Sequence, residues 1–399
     1  MTNQSIFPST RSAGLDRLQN FLPYAAQDYA QGRNRDRGPE QPAAVSKLSP
    51  YIRYRMISEK EILAQVFAVH GPEAAQKFIE EILWRTYWKG WLELHPSLWE
   101  FYLDERDSDK QFVDCKILQQ AEMGQTGIEG FDDWAIELTT TGYLHNHARM
   151  WFASIWIFTL QLPWTLGADF FLRHLVDADV ASNTLSWRWV AGLHTRGKSY
   201  LATADNIFRH TGGRFNPKGL VSSTIKINDR WYGNQVRLSD LTQPNASLPT
   251  ILLVHHDDLN PEPQLFNNYN IVLVILINEE ELSWGEKARL FIKGAINDTK
   301  LRIYEHYQYP VFLEDKLDAT NLLEAARSTG VSQIITQVAP IGPIATKLAL
   351  VGSILTQNDI DLIQVRRKWD DCLWPHAKTS FFKFKEHISP ILLEDSFLK

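Results

Sequence analysis

The chain has 399 residues, more than one ordinary hydrophobic core accommodates, so two domains are expected. With 44% hydrophobic and 22% charged residues it has the composition of a soluble globular protein. Its net charge of −6 excludes a uniformly basic nucleic-acid coat but not a local basic groove, because a summed charge says nothing of its distribution.

The first residues, MTNQSIFPSTRSAG, carry no apolar signal core, and no run of about 18 apolar residues follows anywhere. Cys115 and Cys372 lie far apart and form no metal or redox motif; two thiols cannot supply the four that an iron–sulfur cluster takes. A cytoplasmic, non-membrane protein without structural disulfides is the expectation, acting as a monomer. From Ser46 to about residue 212, apolar residues recur at three and four, over 58–71, 72–94, 131–162 and 167–179, with Pro or Gly between. This predicts an all-helical region. Beyond QPNASLP, short β-type runs at 250–256, 269–277, 310–315, 332–339 and 359–367 alternate with helical ones at 284–296, 320–330 and 342–355. That alternation predicts βαβ units and a doubly wound parallel sheet of Rossmann-like type. The domains are therefore placed at 1–245 and 246–399.

Eleven of the 14 tryptophans precede residue 245. They suit either a large aromatic core or a site that stacks rings on a planar group. Four motifs carry chemistry. SKLSPYI at 46–52 opens a helical stretch with hydroxyls that cap it or bind an anion. In EILWRTYW, Glu81, Trp84, Arg85 and Trp88 share one helix face, as a functional surface or as an exposed Glu–Arg pair. The His-X-His of GYLHNHARM has no further ligand at metal spacing, which favours polar residues on a half-buried helix over a metal site. In DADVASNTLSWRWV (177–190), helical residues two apart point about 200° apart, so Trp187 and Trp189 should meet different neighbours and not share a pocket wall. An unpaired buried carboxylate is costly, so Asp177 should pair with Arg149.

These motifs, in this order over residues 25–215, resemble the FAD-binding domain of the photolyase/cryptochrome family. The resemblance implies FAD as cofactor. Tyr29, Arg33 and Ser46-Lys47-Leu48-Ser49 would hold the flavin and its pyrophosphate, with Val45 standing where the family usually has Thr. Arg85 and Ala178 would also contact the cofactor; Arg149 and Asp177 would form a salt-bridged pair beside the isoalloxazine, and Asp179 would touch the folded cofactor. Asn183 falls where the family keeps a residue near flavin N5. Trp187 would begin photoreduction with Trp164 next, whereas the distal tryptophan position lands on Gln111–Phe112, leaving Trp156 or Trp151 as alternatives.

The same resemblance implies a substrate cavity. Glu81, Trp84, Arg85, Asn146, Met150 and Trp189 would receive a flipped cyclobutane pyrimidine dimer, with indoles against the bases and polar groups on their edges. Met150 indicates the cyclobutane class, since (6-4) photolyases usually place His there. His147 replaces an Arg that commonly touches a DNA phosphate; Arg53, Arg55 and Arg196 are the candidate substitutes. The implied activity is blue-light repair of UV-damaged DNA. The alternative is a cryptochrome-like photoreceptor that binds FAD and signals to a protein partner. VHHDDLNPEPQLFNN (254–268) and WPHAKTSFFKFKEHI (374–388) resemble the two ends of the family's α/β antenna domain, which implies a permuted domain order and leaves open a folate or deazaflavin antenna.

Overall fold

The computed structural model describes residues 6–39, 42, 44–112, 114–195, 197–230 and 232–398. Helices run from Arg11–Phe21 to Ala204–His210, and four of them build the site: α1 (Gln76–Glu93), α2 (Asn146–Ser154), α3 (Trp164–His174) and α4 (Val180–Val190). The apolar run predicted at 131–162 is broken at Gly142, whose left-handed backbone (φ 73°) ends the Phe131–Thr141 helix; its carbonyl then accepts the N–H of Val176 at 2.9 Å. Chain reversal here brings the 143–150 motif beside residues 176–179. Asp179 starts α4 as its N-cap, accepting the Ser182 N–H at 2.8 Å, so Asp177 stays outside the helix.

The second half holds five parallel strands: β1 (Pro249–Val254), β2 (Asn270–Ile277), β3 (Val311–Glu314), β4 (Gln333–Gln337) and β5 (Asp361–Val365). Their order is β3-β2-β1-β4-β5. This is the doubly wound arrangement expected from the sequence. Side chains alternate across the sheet. Leu252, Val254, Val274, Leu276 and Ile335 face a core shared with the helical half, whereas Ile251, Leu253, Ile275, Ile277 and Ile334 face the Ala319–Thr329 helix and α5 (Pro343–Thr356). Both faces of β1, β2 and β4 are buried, which is why those strands read as continuous apolar runs.

After β5 the chain returns to the helical half. Trp369 donates its indole N–H to Thr86 on α1 (3.1 Å), and Gly90 packs so closely that a Cβ there would stand 2.9 Å from Trp374 Cα. The segment ends in α6 (Phe381–Leu393), which lies along α1. A buried ionic network joins the halves. Arg53 donates to the Ala178 carbonyl (2.7 Å) and to Asp257 (2.6 Å), while Arg55 donates to both oxygens of Asp370 (2.7 and 2.6 Å). Arg367 in turn binds both oxygens of Asp258. Arg53 and Arg55 are thus structural cations and not phosphate contacts: their side chains are 7% and 1% exposed. Arg196 lies outside the described residues.

Candidate functional site

A cavity of about 500 Å³ opens in the helical half, within the range of a cofactor or substrate pocket. It gathers residues from 29–34, 45–49, α1, the 143–153 stretch and 171–190. Of the residues expected at a site, Tyr29, Arg33, Ser46, Lys47, Leu48, Ser49, Glu81, Trp84, Arg85, Asn146, His147, Arg149, Met150, Asp177, Asp179, Asn183, Trp187 and Trp189 line it. Two do not. Ala178 is buried behind the wall, its carbonyl taken by Arg53, and Trp164 sits apart, 5.6 Å from the Tyr102 ring with the Arg188 guanidinium 5.6 Å over it.

The two carboxylates next to α4 are held differently. Arg149 binds Asp177 through one nitrogen, at 3.1 and 3.0 Å to its two oxygens, and fixes its own Nε on the Leu144 carbonyl (3.0 Å). Burial pushes the Asp177 carboxyl up, but Arg149, Ser49 and Arg85 outweigh it and hold the group below the usual range. Burial likewise opposes ionisation of Asp179, and Lys89, Arg53 and Arg85 overcome it. Both are anions at neutral pH. Lys89 was not among the expected site residues, and Arg53 was expected only as a phosphate contact. Lys89 was legible as the residue four after Arg85 on the same face, but nothing local to Arg53 pointed to Asp179.

Glu81 behaves in the opposite way. Burial raises its carboxyl, and its pair with Arg33 at 2.5 Å only partly offsets this. Burial thus makes Glu81 easier to protonate than an exposed glutamate, while it still accepts a hydrogen bond from Arg33. His147 lies 5.4 Å from the His210 ring, and burial followed by repulsion from His145 and His210 pushes it down to about 4. It is a neutral imidazole at pH 7, so it cannot replace a guanidinium as a counter-charge. No group of three or more His, Cys, Asp or Glu among the described residues is arranged to hold a metal.

Trp187 and Trp189 both reach the cavity, contrary to the expectation that residues two apart would not share a pocket. The cavity is large enough to wrap α4, and the neighbours do differ. Trp187 is buried, with its ring centroid 5.1 Å from Phe171 and 6.2 Å from Trp156, both edge-on; Trp189 stacks on Tyr200 at 5.8 Å. Gly167 is required for this packing, since a Cβ would meet the Trp187 ring at 2.3 Å. Asn183 donates its amide to the Ala168 carbonyl (2.8 Å), leaving its second N–H and its oxygen for a group in the cavity.

The residues fit a flavin dinucleotide. Ser182 Oγ and Trp187 Nε1 are buried at the wall without a hydrogen-bond partner, an arrangement that buried polar atoms rarely keep without a ligand. Cationic Lys47, Arg85 and Arg149 complement phosphates and an electron-rich ring, and the hydroxyls of Ser46 and Ser49 lie beside them. A second crevice lies between the carboxyl ends of β1 and β4, where a doubly wound sheet ordinarily binds ligands. Here Arg53, Lys89 and Glu93 of the helical half fill it, leaving about 10 Å³, room for one water and none for a folate or deazaflavin. Among the described residues, no helix is long and apolar enough to cross a membrane.

The sequence of the helical half matches known proteins. Residues 78–220 match the family model of the FAD binding domain of DNA photolyase. The deoxyribodipyrimidine photo-lyase of Vibrio cholerae is 28% identical over 217 residues, covering 51% of this chain and 43% of that protein. That of Thermus thermophilus is 32% identical over 208 residues, covering 52% and 48%. A bacterial class III photolyase from Agrobacterium tumefaciens, solved as a crystal structure, is 29% identical over 51% of this chain and 43% of that one, with a TM-score of 0.43. The chain spans less than half the length of these relatives.

Proposed function

We propose that this chain, whose residues 78–220 belong to the photolyase/cryptochrome family, binds FAD in the helical cavity and splits cyclobutane pyrimidine dimers in DNA under blue light. One observation carries the reading: a single cavity joins the Arg149–Asp177–Asn183 group to Glu81, Trp84, Asn146, Met150 and Trp189. Bound there, FAD supplies light absorption and the transferable electron. The protein supplies placement and electrostatics. Arg149 and Asp177 orient the ring, and Asn183 offers it an amide. Trp84 and Trp189 give planar surfaces to flipped bases. Glu81, with its raised carboxyl, and Asn146 hydrogen-bond the dimer edge where negative charge develops.

In this reading residues 1–245 form the flavin domain and 246–399 an antenna-like domain in permuted order. The protein works as a cytoplasmic monomer on UV-damaged DNA. Trp187 is the indole that feeds the cofactor, with Trp164 as its next partner. Blue light with the reduced, FAD-loaded chain should restore intact pyrimidines in an oligonucleotide carrying one thymine dimer, read by chromatography. Intact dimers after prolonged illumination would refute repair and leave the photoreceptor alternative, with a protein partner. Trp187→Phe should slow light-driven reduction of the oxidised flavin about tenfold, equivalent to ~1.4 kcal/mol on the barrier. Unchanged bleaching of the yellow absorbance would remove Trp187 from that route.

A further inference from the structure

Trp84 stands between two environments. It lines the cavity, yet its ring lies 3.8 Å from Phe381 and within 9° of parallel to it. An indole stacked at that separation has one face covered, so only the other can meet a ligand. Phe381 comes from α6, the helix that follows the sheet, and is buried. That helix is pinned along one stripe of α1, on residues four and three apart. Glu80 accepts from Lys385 (2.8 Å), Trp84 stacks on Phe381, and the Tyr87 hydroxyl donates to the Thr379 carbonyl (2.5 Å). Ser380 caps α6, which fixes the backbone immediately before Phe381. The adjoining residues Glu81, Arg85 and Trp88 line the cavity.

We propose that Phe381 is a positioning residue for the dimer subsite: it holds Trp84 in the orientation that receives one base of a flipped pyrimidine dimer, which makes the C-terminal helix part of the substrate site. The proposal rests on the photolyase reading above. An indole free on one face of α1 would have several rotamers, and stacking a base on it would cost the entropy of choosing one. Phe381 fixes that choice before substrate arrives.

The test is dark binding by the full FAD-loaded chain, measured with an oligonucleotide containing one thymine dimer and with the same oligonucleotide undamaged. Phe381→Leu keeps an apolar side chain but removes the planar stack. Its dimer affinity should fall about threefold to tenfold, the scale of an aromatic pair, while binding to undamaged DNA stays unchanged. Phe384→Leu is the control: Phe384 is equally buried and packs on Tyr87 at 5.5 Å and on Phe381 at 6.3 Å. It should leave the damaged-to-undamaged ratio at the parental value, and Phe381→Tyr should restore most of that ratio. If Phe381→Leu is not folded at the assay temperature, Phe381→Met is read in the same way. Equal ratios for the Phe381 and Phe384 variants would reduce Phe381 to core packing and overturn the proposal. A parental protein that binds both oligonucleotides alike would instead overturn the photolyase reading, and this inference with it.

Discussion

Arg55→Ala should cost about 3–5 kcal/mol of folding stability, the scale of removing one partner from a buried ion pair. Its guanidinium is 1% exposed and gives two short bonds to Asp370, which is equally buried. Burial already raises the Asp370 carboxyl even with Arg55 in place. Without the cation that carboxylate must take a proton or draw water into the junction between the halves. The loss should therefore be larger at pH 8 than at pH 5, because the raised group is destabilising only where it must ionise. Denaturant midpoints at both pH values measure this. The double replacement Arg55→Met with Asp370→Leu should recover much of the loss, since an apolar pair of similar volume often substitutes for a buried ionic one. A single-variant cost below about 1 kcal/mol would mean that the network does not hold the halves together.

The same residue marks where sequence reasoning stops. The central strands were legible because burial on both faces writes an uninterrupted apolar run: the run predicted at 269–277 is β2 at Asn270–Ile277, and that at 332–339 contains β4 at Gln333–Gln337. The helical run predicted from residue 58 begins at Glu59, where the structure shows Ser58 as its cap. The cavity residues were legible through the family resemblance, whose motifs are each local in the sequence. Partners distant in the chain were not. An arginine near a predicted DNA site suggests a phosphate contact, and nothing near Arg53 or Arg55 reports that Asp257 and Asp370 lie against them. Phe381 lies in a stretch that reads as the end of another domain, and only the return of the chain after β5 puts it on Trp84. The pocket shared by Trp187 and Trp189 was missed for a related reason. Helical angles separate two residues on one helix, but they do not limit how far a cavity extends around it.

Arg149→Ala should weaken FAD binding by at least about 30-fold, the fold-change that corresponds to the ~2 kcal/mol lower bound for truncating one member of a buried charge pair. The asymmetry of the pair makes this the severe direction. The Asp177 side chain is 2% exposed and that of Arg149 is 23% exposed. Removing the arginine strands a buried carboxylate against the flavin, whereas Asp177→Asn leaves a guanidinium that still reaches water and the Leu144 carbonyl. The asparagine variant should accordingly keep more affinity than the alanine one. Arg149 is also the foremost group holding Asp177 below its ordinary range against burial. In Arg149→Ala that carboxyl must rise, so lowering the pH neutralises it and should return part of the lost affinity. The parental protein, whose Asp177 stays ionised, should show no such gain. Titrating flavin-free protein with FAD by fluorescence quenching at pH 8 and pH 5.5 measures both effects. An Arg149→Ala affinity equal to the parental one would place the flavin away from this pair. A defect that does not shrink on acidification would mean that lost contact with the arginine, and not a stranded carboxylate, sets the cost.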